Sequence, residues 1–182
     1  MEVTPQRHLV KLFTDGACIG NPGPGGWGFI LKHPATTKSM EGSGGEHGTT
    51  NNRMEIMAVI RGLESLKRPC DVELFSDSEY VVKAITEWMG KWKSFGWKKS
   101  VNAKQPLKNA DLWARLYELL QTHEVKANWV RGHNGHLENE RCDVLASDAA
   151  AKVKATPAPA SPPRDKSKLF GNSAKKALKP ND

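Results

Sequence analysis

Nowhere does this chain offer the roughly 18 consecutive apolar residues that a membrane-spanning helix requires. Its first residues, MEVTPQRHLVK, also lack the apolar run and small-residue cleavage site of a secretory signal. Cysteine is scarce. Cys18, Cys70 and Cys142 are odd in number and far apart, which excludes a disulfide framework, and none stands in the CxxC spacing that suits zinc. A reducing, cytoplasmic setting without a membrane partner follows as the default. Acidic residues are missing altogether from Trp88 to Ala110, while Lys91, Lys93, Lys98, Lys99, Lys104 and Lys108 all fall there.

What remains has the composition of a soluble protein: 38% of the 182 residues are hydrophobic, and mean hydropathy is −0.57. That length suits one globular domain with room for an appendage. The net charge of +7 is unevenly placed. Residues 1–150 hold 19 Lys/Arg against 18 Asp/Glu, a net of +1, whereas residues 151–182 hold 8 against 2, a net of +6. Basic blocks of this kind suit a nucleic-acid partner. On charge alone a solvated basic face fits equally well.

Leu9 to Thr14 reads as a strand that stops at Asp15-Gly16. The turn-rich stretch from Gly20 to Gly26 leads to a second strand from Trp27 to Lys32, and a weaker third falls near 38–46, in the spacing of a hairpin meander. Thr50, Asn51 and Asn52 offer helix caps before Met54, Met57, Val59, Ile60, Leu63 and Leu66, whose spacing is helical. A strand over Asp71–Phe75, a helix from about Ser78 to Trp88, a helix from about Asn109 to Thr122, a strand over Val125–Val130 and a final helix from Leu137 to about Ala151 complete the order. Strands first and alternation afterwards indicate an α/β protein with a mixed sheet flanked by helices. Past Val153 come four prolines between 157 and 163, with Ala, Ser and Lys and almost no apolar content. Such a segment cannot bury enough surface to offset its ordering entropy. The expected organisation is a folded domain over 1–153 and a disordered, basic, Pro/Ala/Lys-rich tail over 154–182.

Two strands end alike, in Leu12-Phe13-Thr14-Asp15 and Leu74-Phe75-Ser76-Asp77. Each delivers an aspartate to the carboxyl edge of a sheet, where ligands of α/β proteins gather. Glu55 lies early in one helix and Asp143 inside the last. Taken singly, an acidic residue early in a helix is normally a favourable dipole partner or cap. Convergence changes that reading. Two carboxylates about 4 Å apart repel by about 4 kcal/mol at an effective dielectric of 20, so either some stay protonated or cations occupy the cluster. All-oxygen sites that also meet phosphate favour Mg²⁺, with Mn²⁺ as the alternate. Two such ions roughly 3.5–4 Å apart would activate a water and stabilise the leaving oxygen of a phosphodiester. Spacing alone does not show that the four carboxylates meet.

Four stretches carry a resemblance: Phe13 to Gly26 (FTDGACIGNPGPGG), Thr49 to Glu55 (TTNNRME), Ser76 to Val81 (SDSEYV) and Gly132 to Asp143 (GHNGHLENERCD). In order and spacing they resemble the signature blocks of bacterial ribonuclease H, type 1, over about Lys11 to Ala150. The resemblance implies a ribonuclease H-like fold, a five-stranded mixed sheet with its first three strands antiparallel. It implies two-metal, Mg²⁺-dependent endonucleolytic cleavage of the RNA strand of RNA–DNA hybrids, leaving 5′-phosphate and 3′-hydroxyl ends, by a monomer. It gives the metal-binding carboxylates as Asp15, Glu55, Asp77 and Asp143. His133 matches a histidine that assists proton transfer or product release, whereas His136 reads as structural.

Substrate contacts carry over less uniformly. Gly16, Asn21, Asn51 and Asn52 match positions that reach the minor groove, where 2′-hydroxyls mark an RNA strand; turn and cap formation is their other role. Thr50 and Asn109 match part of a pocket for a DNA phosphate. Gly48 departs from the pattern, since relatives often place Arg there, and so does Glu79, where many relatives carry Gln. The segment with Trp88, Trp92, Lys93, Trp97, Lys98 and Lys99 resembles a basic protrusion that grips DNA, its lysines outward and its tryptophans partly packed. Two rival readings remain at this point, a non-catalytic hybrid-binding module and a DNA-directed nuclease of the same fold. The sequence names no partner protein, and with a first strand by about His8 no separate N-terminal hybrid-binding domain is expected.

Overall fold

The computed structural model describes residues 6–132 and 135–160. Five strands, β1 (His8–Cys18), β2 (Gly23–Lys32), β3 (Ser39–Thr49), β4 (Cys70–Ser76) and β5 (Glu124–Trp129), form one sheet in the order β3-β2-β1-β4-β5. The first three are antiparallel, and β4 and β5 run parallel to β1. The helices are α1 (Asn51–Glu64), α2 (Glu79–Lys83), α3 (Met89–Ser94), α4 (Ala110–Thr122) and α5 (Leu137–Ala155), with a π-helical turn at Ala84–Trp88 between α2 and α3. This is the α/β architecture expected. Among the described residues no helix is long and apolar enough to cross a membrane.

Alternation along β1 separates the two faces. Val10 and Leu12 join the larger core under α1 and α4, with Leu74, Ile56, Ile60, Trp113 and Leu116 fully or almost fully buried; each such side chain contributes about 1.5–3 kcal/mol. Phe13 faces the other way and packs with Ile30, Cys142, Phe75 and Leu145 under α5. That second core is thin, because α5 lies almost on the backbone of β2. A Cβ at Gly26 would stand 2.6 Å from the backbone nitrogen of Ala150, so only glycine lets the alanine-lined helix settle there.

Several boundaries differ from the sequence expectation, and β2 begins at Gly23, inside the stretch expected as a turn. β1 does not stop at Asp15-Gly16: its ladder with β2 runs on through Asp15↔Gly28 to Cys18↔Gly25, because glycine can pair in a ladder as well as turn. The third strand extends to Thr49, since its pairing with β2 closes only at Gly23↔Thr49. The helix expected to end at Trp88 continues as α3 through Ser94, the π turn absorbing the change of pitch. The last helix reaches Ala155, past both Ala151 and Val153, since nothing before Pro157 breaks it. Of the expected tail, residues 161–182 lie outside the described residues.

Candidate active site

The parallel β1–β4 ladder ends at Thr14↔Ser76, so Asp15 and Asp77 are the next residues on two adjacent strands at one level of the sheet edge. Residues of equal parity share a face, and the stacked Phe13 and Phe75 rings, 5.0 Å apart, lie two residues before them. Glu55 comes from α1, whose start is pressed against β1. A Cβ on Gly16 would lie 2.7 Å from the carbonyl carbon of Met54. Glycine at 16 is therefore what lets Glu55 approach Asp15.

Asp15, Glu55 and Asp77 each offer a carboxylate oxygen within 4.8 Å of the others. Asp15 and Glu55 are 8% and 5% exposed, which makes the three charges costly together. Burial first, and the charge of Asp77 next, push the Asp15 carboxyl up to about 7, with Asp143 adding to the rise. Burial likewise drives Glu55 well above the ordinary range, followed by the charges of Asp15 and Asp77. The closeness of the two carboxyls raises Glu55 further and lowers Asp15. The Gly16 backbone N–H donates to Asp15 Oδ1 at 2.9 Å, and Glu55 Oε2 is buried with no hydrogen-bond partner. An orphaned buried carboxylate oxygen beside two more carboxylates is what a hard divalent cation would satisfy. The donor set fits such an ion.

Asp143, half-buried on α5, lies outside that tight group, although its charge is felt by Asp15. His133 lies outside the described residues. Its loop begins close by: a Cβ on Gly132 would stand 2.9 Å from Asp77 Oδ2. Trp129 closes the same side, donating from Nε1 to the Asp77 carbonyl at 3.1 Å.

The residues matched to substrate contacts fall into three places. Asn21 Oδ1 accepts from the Asn51 N–H at 3.0 Å, and Thr50 caps α1 by accepting from the Arg53 N–H at 3.2 Å; Asn51 and Asn52 are exposed at that helix start. Asn109 sits at the start of α4 in the left-handed region, φ 60°, without a side-chain cap bond. Glu79 is exposed and ion-paired with Lys83 at 3.2 Å. Gly48 is exposed, with φ +57°.

The tryptophan segment packs as an aromatic ladder. Trp88 and Trp92 lie 5.6 Å apart, Trp92 contacts Trp113 at 5.4 Å, and Trp97 meets Tyr117 edge-on at 5.7 Å. Lys93 is exposed, its ammonium 4.5 Å over the Tyr117 ring. Lys99 is exposed and Lys98 half-buried.

Sequence reasoning gave no role to Arg53. Its guanidinium holds Asp111 on α4 through two hydrogen bonds, 3.1 and 2.7 Å, and reaches Glu46 on β3 at 3.4 Å. It thus fastens together the starts of α1 and α4, where Thr50 and Asn109 lie. Its partner is 58 residues away, so no local pattern announces it.

The RNase H family matches residues 7–151 of the chain. A protein of Pseudomonas fluorescens named Ribonuclease H is 57% identical over 145 residues, covering 80% of this chain and 94% of its own. A Rhodopirellula baltica protein of the same name is 56% identical over 138 residues, covering 75% and 87%. Among solved structures, LC9-RNase H1, a type 1 RNase H with the type 2 active-site motif, superposes with a TM-score of 0.71 at 32% identity, covering 81% of this chain and 74% of that one.

Proposed function

The chain belongs to the RNase H family, and from that membership we propose that it hydrolyses the RNA strand of RNA–DNA hybrids endonucleolytically, leaving 5′-phosphate and 3′-hydroxyl ends. The observation that carries the chemistry is the cluster of Asp15, Glu55 and Asp77, three carboxylates at one sheet edge with a buried, unpartnered oxygen among them. Asp15, Glu55 and Asp77 would hold divalent cations, Mg²⁺ foremost with Mn²⁺ as the alternate, and Asp143 would complete the set from α5. When bound, two such ions supply Lewis-acid stabilisation to phosphoryl oxygens and a lowered pKa to water.

The protein's own part is to hold and orient. Gly16 admits α1 so that Glu55 meets Asp15, and the Gly16 N–H fixes one carboxylate oxygen of Asp15. Asn21, Asn51 and Asn52 stand at the exposed helix start, where amide groups both donate to and accept from 2′-hydroxyls. Thr50 and Asn109, fastened through Arg53, take a DNA phosphate with partly positive helix N-termini. Trp88, Trp92, Trp97, Lys93, Lys98 and Lys99 grip the DNA backbone, the aromatic rings forming a stiff base for mobile ammonium groups. His133 moves a proton or eases product departure. Residues 1–153 form the catalytic domain of a monomer, and the basic tail beyond it holds the enzyme near polyanions by charge alone.

Labelled RNA–DNA, RNA–RNA and DNA–DNA duplexes, each with and without EDTA, test this reading. RNA cleavage confined to the hybrid and abolished by EDTA is expected. Cleavage of DNA–DNA, or binding without cleavage, would replace it by a DNA nuclease or a binding module.

A further inference from the structure

At the foot of the same sheet face, away from the carboxylates, lies a cavity of about 670 Å³. Its floor is the stacked pair Phe13 and Phe75, and its walls include Lys11, Lys32 and Lys38. Lys11 and Lys32 are directly opposed in the β1–β2 register, an arrangement in which like charges repel. Lys32 is engaged by Glu138 of α5 at 2.7 Å. Lys11, which stands between Lys32 and Glu73 in the strand register, and Lys38 make no close ion pair among the described residues. The β2–β3 turn brings Lys38 over the same hollow, with Thr36 and Thr37 beside it offering hydroxyl groups.

Two ammonium groups outside any close ion pair, a third shared with one carboxylate, and an aromatic floor make a chamber for a ligand with an anionic end and a flat one. Its size is that of small-molecule sites. We propose that this cavity binds a nucleoside phosphate, the phosphate bridging Lys11 and Lys38 and the base lying along the Phe75 ring. The phosphate relieves the Lys11–Lys32 repulsion with charge-assisted hydrogen bonds, and a base is tolerated in any identity because every base has a flat π-face. The carboxylates do not line the cavity, but Phe13 precedes Asp15 by two residues, about 7 Å along the strand. A nucleotide held here therefore comes from one of two sources, free in solution or the end of the RNA strand leaving the carboxylates. Only the second source rests on the hybrid-cleaving reading.

The test uses the full-length, isotope-labelled protein in EDTA, so that no ligand is held through a metal at the carboxylates. Adenosine 5′-monophosphate, inorganic phosphate and adenosine are titrated in parallel and followed by amide chemical shifts. Saturable shifts at Thr36, Thr37, Lys38 and Phe75 with the nucleotide are expected, tighter than with either fragment. Lys38→Ala and Lys11→Gln should each weaken nucleotide binding about tenfold, the worth of one charge-assisted hydrogen bond. Lys38 stands in a turn, so its variant tests the site without touching the sheet. Cleavage of blunt hybrids and of hybrids with a single-stranded RNA overhang then separates the sources. An overhang that lowers KM in the wild type but not in Lys38→Ala identifies the RNA end; nucleotide binding with no effect of the overhang identifies the free nucleotide. Absence of saturable shifts, equal affinity for phosphate and nucleotide, or affinity untouched by both substitutions would overturn the proposal.

Discussion

The carboxylate edge and the tryptophan segment are built on opposite plans. At the edge, polar groups are buried, and their positions come from backbone: a strand register, a helix start pressed on a glycine, a loop passing against Asp77. In the tryptophan segment, apolar rings are packed, and the charged groups that reach out make few contacts of their own. A region of the first kind tolerates little displacement, because interiors are close-packed and transmit strain. A region of the second kind loses function in small, separable steps, because exposed charges act nearly independently.

That contrast can be broken most severely at Asp77. Asp77→Asn should lower cleavage by about 10³-fold or more, as several kcal/mol of cation-dependent stabilisation is lost, while hybrid binding stays within a few-fold. Single-turnover rates beside a binding titration check this; substantial cleavage by the variant would remove the carboxylates from the chemistry. Gly16→Ala reaches the same site through packing. The added Cβ must push α1 away, so kcat should fall by about 10²-fold, with stability reduced by about 1–3 kcal/mol. A variant of wild-type activity would show that the helix start is free to move.

Metal removal and pH sharpen the comparison next. The Asp15 carboxyl is raised from 3.8 to about 7 by folding, so between those values the native state binds more protons than the unfolded chain. Stability of the metal-free protein should therefore fall as pH rises from about 4 towards 7 and level off above it. Saturating Mg²⁺ should flatten that slope, since the ions replace the protons. Denaturant midpoints across pH, with and without Mg²⁺, measure both; a metal-free protein that gains stability over that interval would contradict the buried cluster. In the tryptophan segment, Lys98→Ala with Lys99→Ala should leave kcat alone and lower the slope of log affinity against log salt by about 0.7–0.9 for each phosphate released. An unchanged slope would make these lysines a solvated face.

Glu79 promises the smallest effect. Glu79→Gln removes one negative charge and restores an amide donor, but it also frees Lys83, now paired at 3.2 Å. Hybrid binding should tighten by up to about 1 kcal/mol. Weaker binding would give the carboxylate a positive role.

Much of this was legible in particular residues. The run Leu9 to Thr14 and the run Asp71 to Phe75 are rich in strand-forming residues, and both form strands. Thr50 before the run from Met54 to Leu66 announces a capped helix, and the cap is made. Boundaries were less legible where glycine was involved: Gly16 reads locally as a turn, yet it lies inside β1 because β2 continues beside it.

Local pattern and motif thus determined the elements, their order and the residue types at the sheet edge, for those follow from interactions a few positions apart. Which carboxylates meet was decided only in three dimensions. The Thr14↔Ser76 register levels Asp15 with Asp77, and the closeness of α1 to Gly16 adds Glu55. Asp143 stands apart from that tight group. The same holds for Arg53 joining Asp111 across 58 residues and for Lys11 facing Lys32 over an aromatic floor. Such pairings depend on strand register and helix approach, and these are fixed by the burial of the whole core rather than by any segment of the chain.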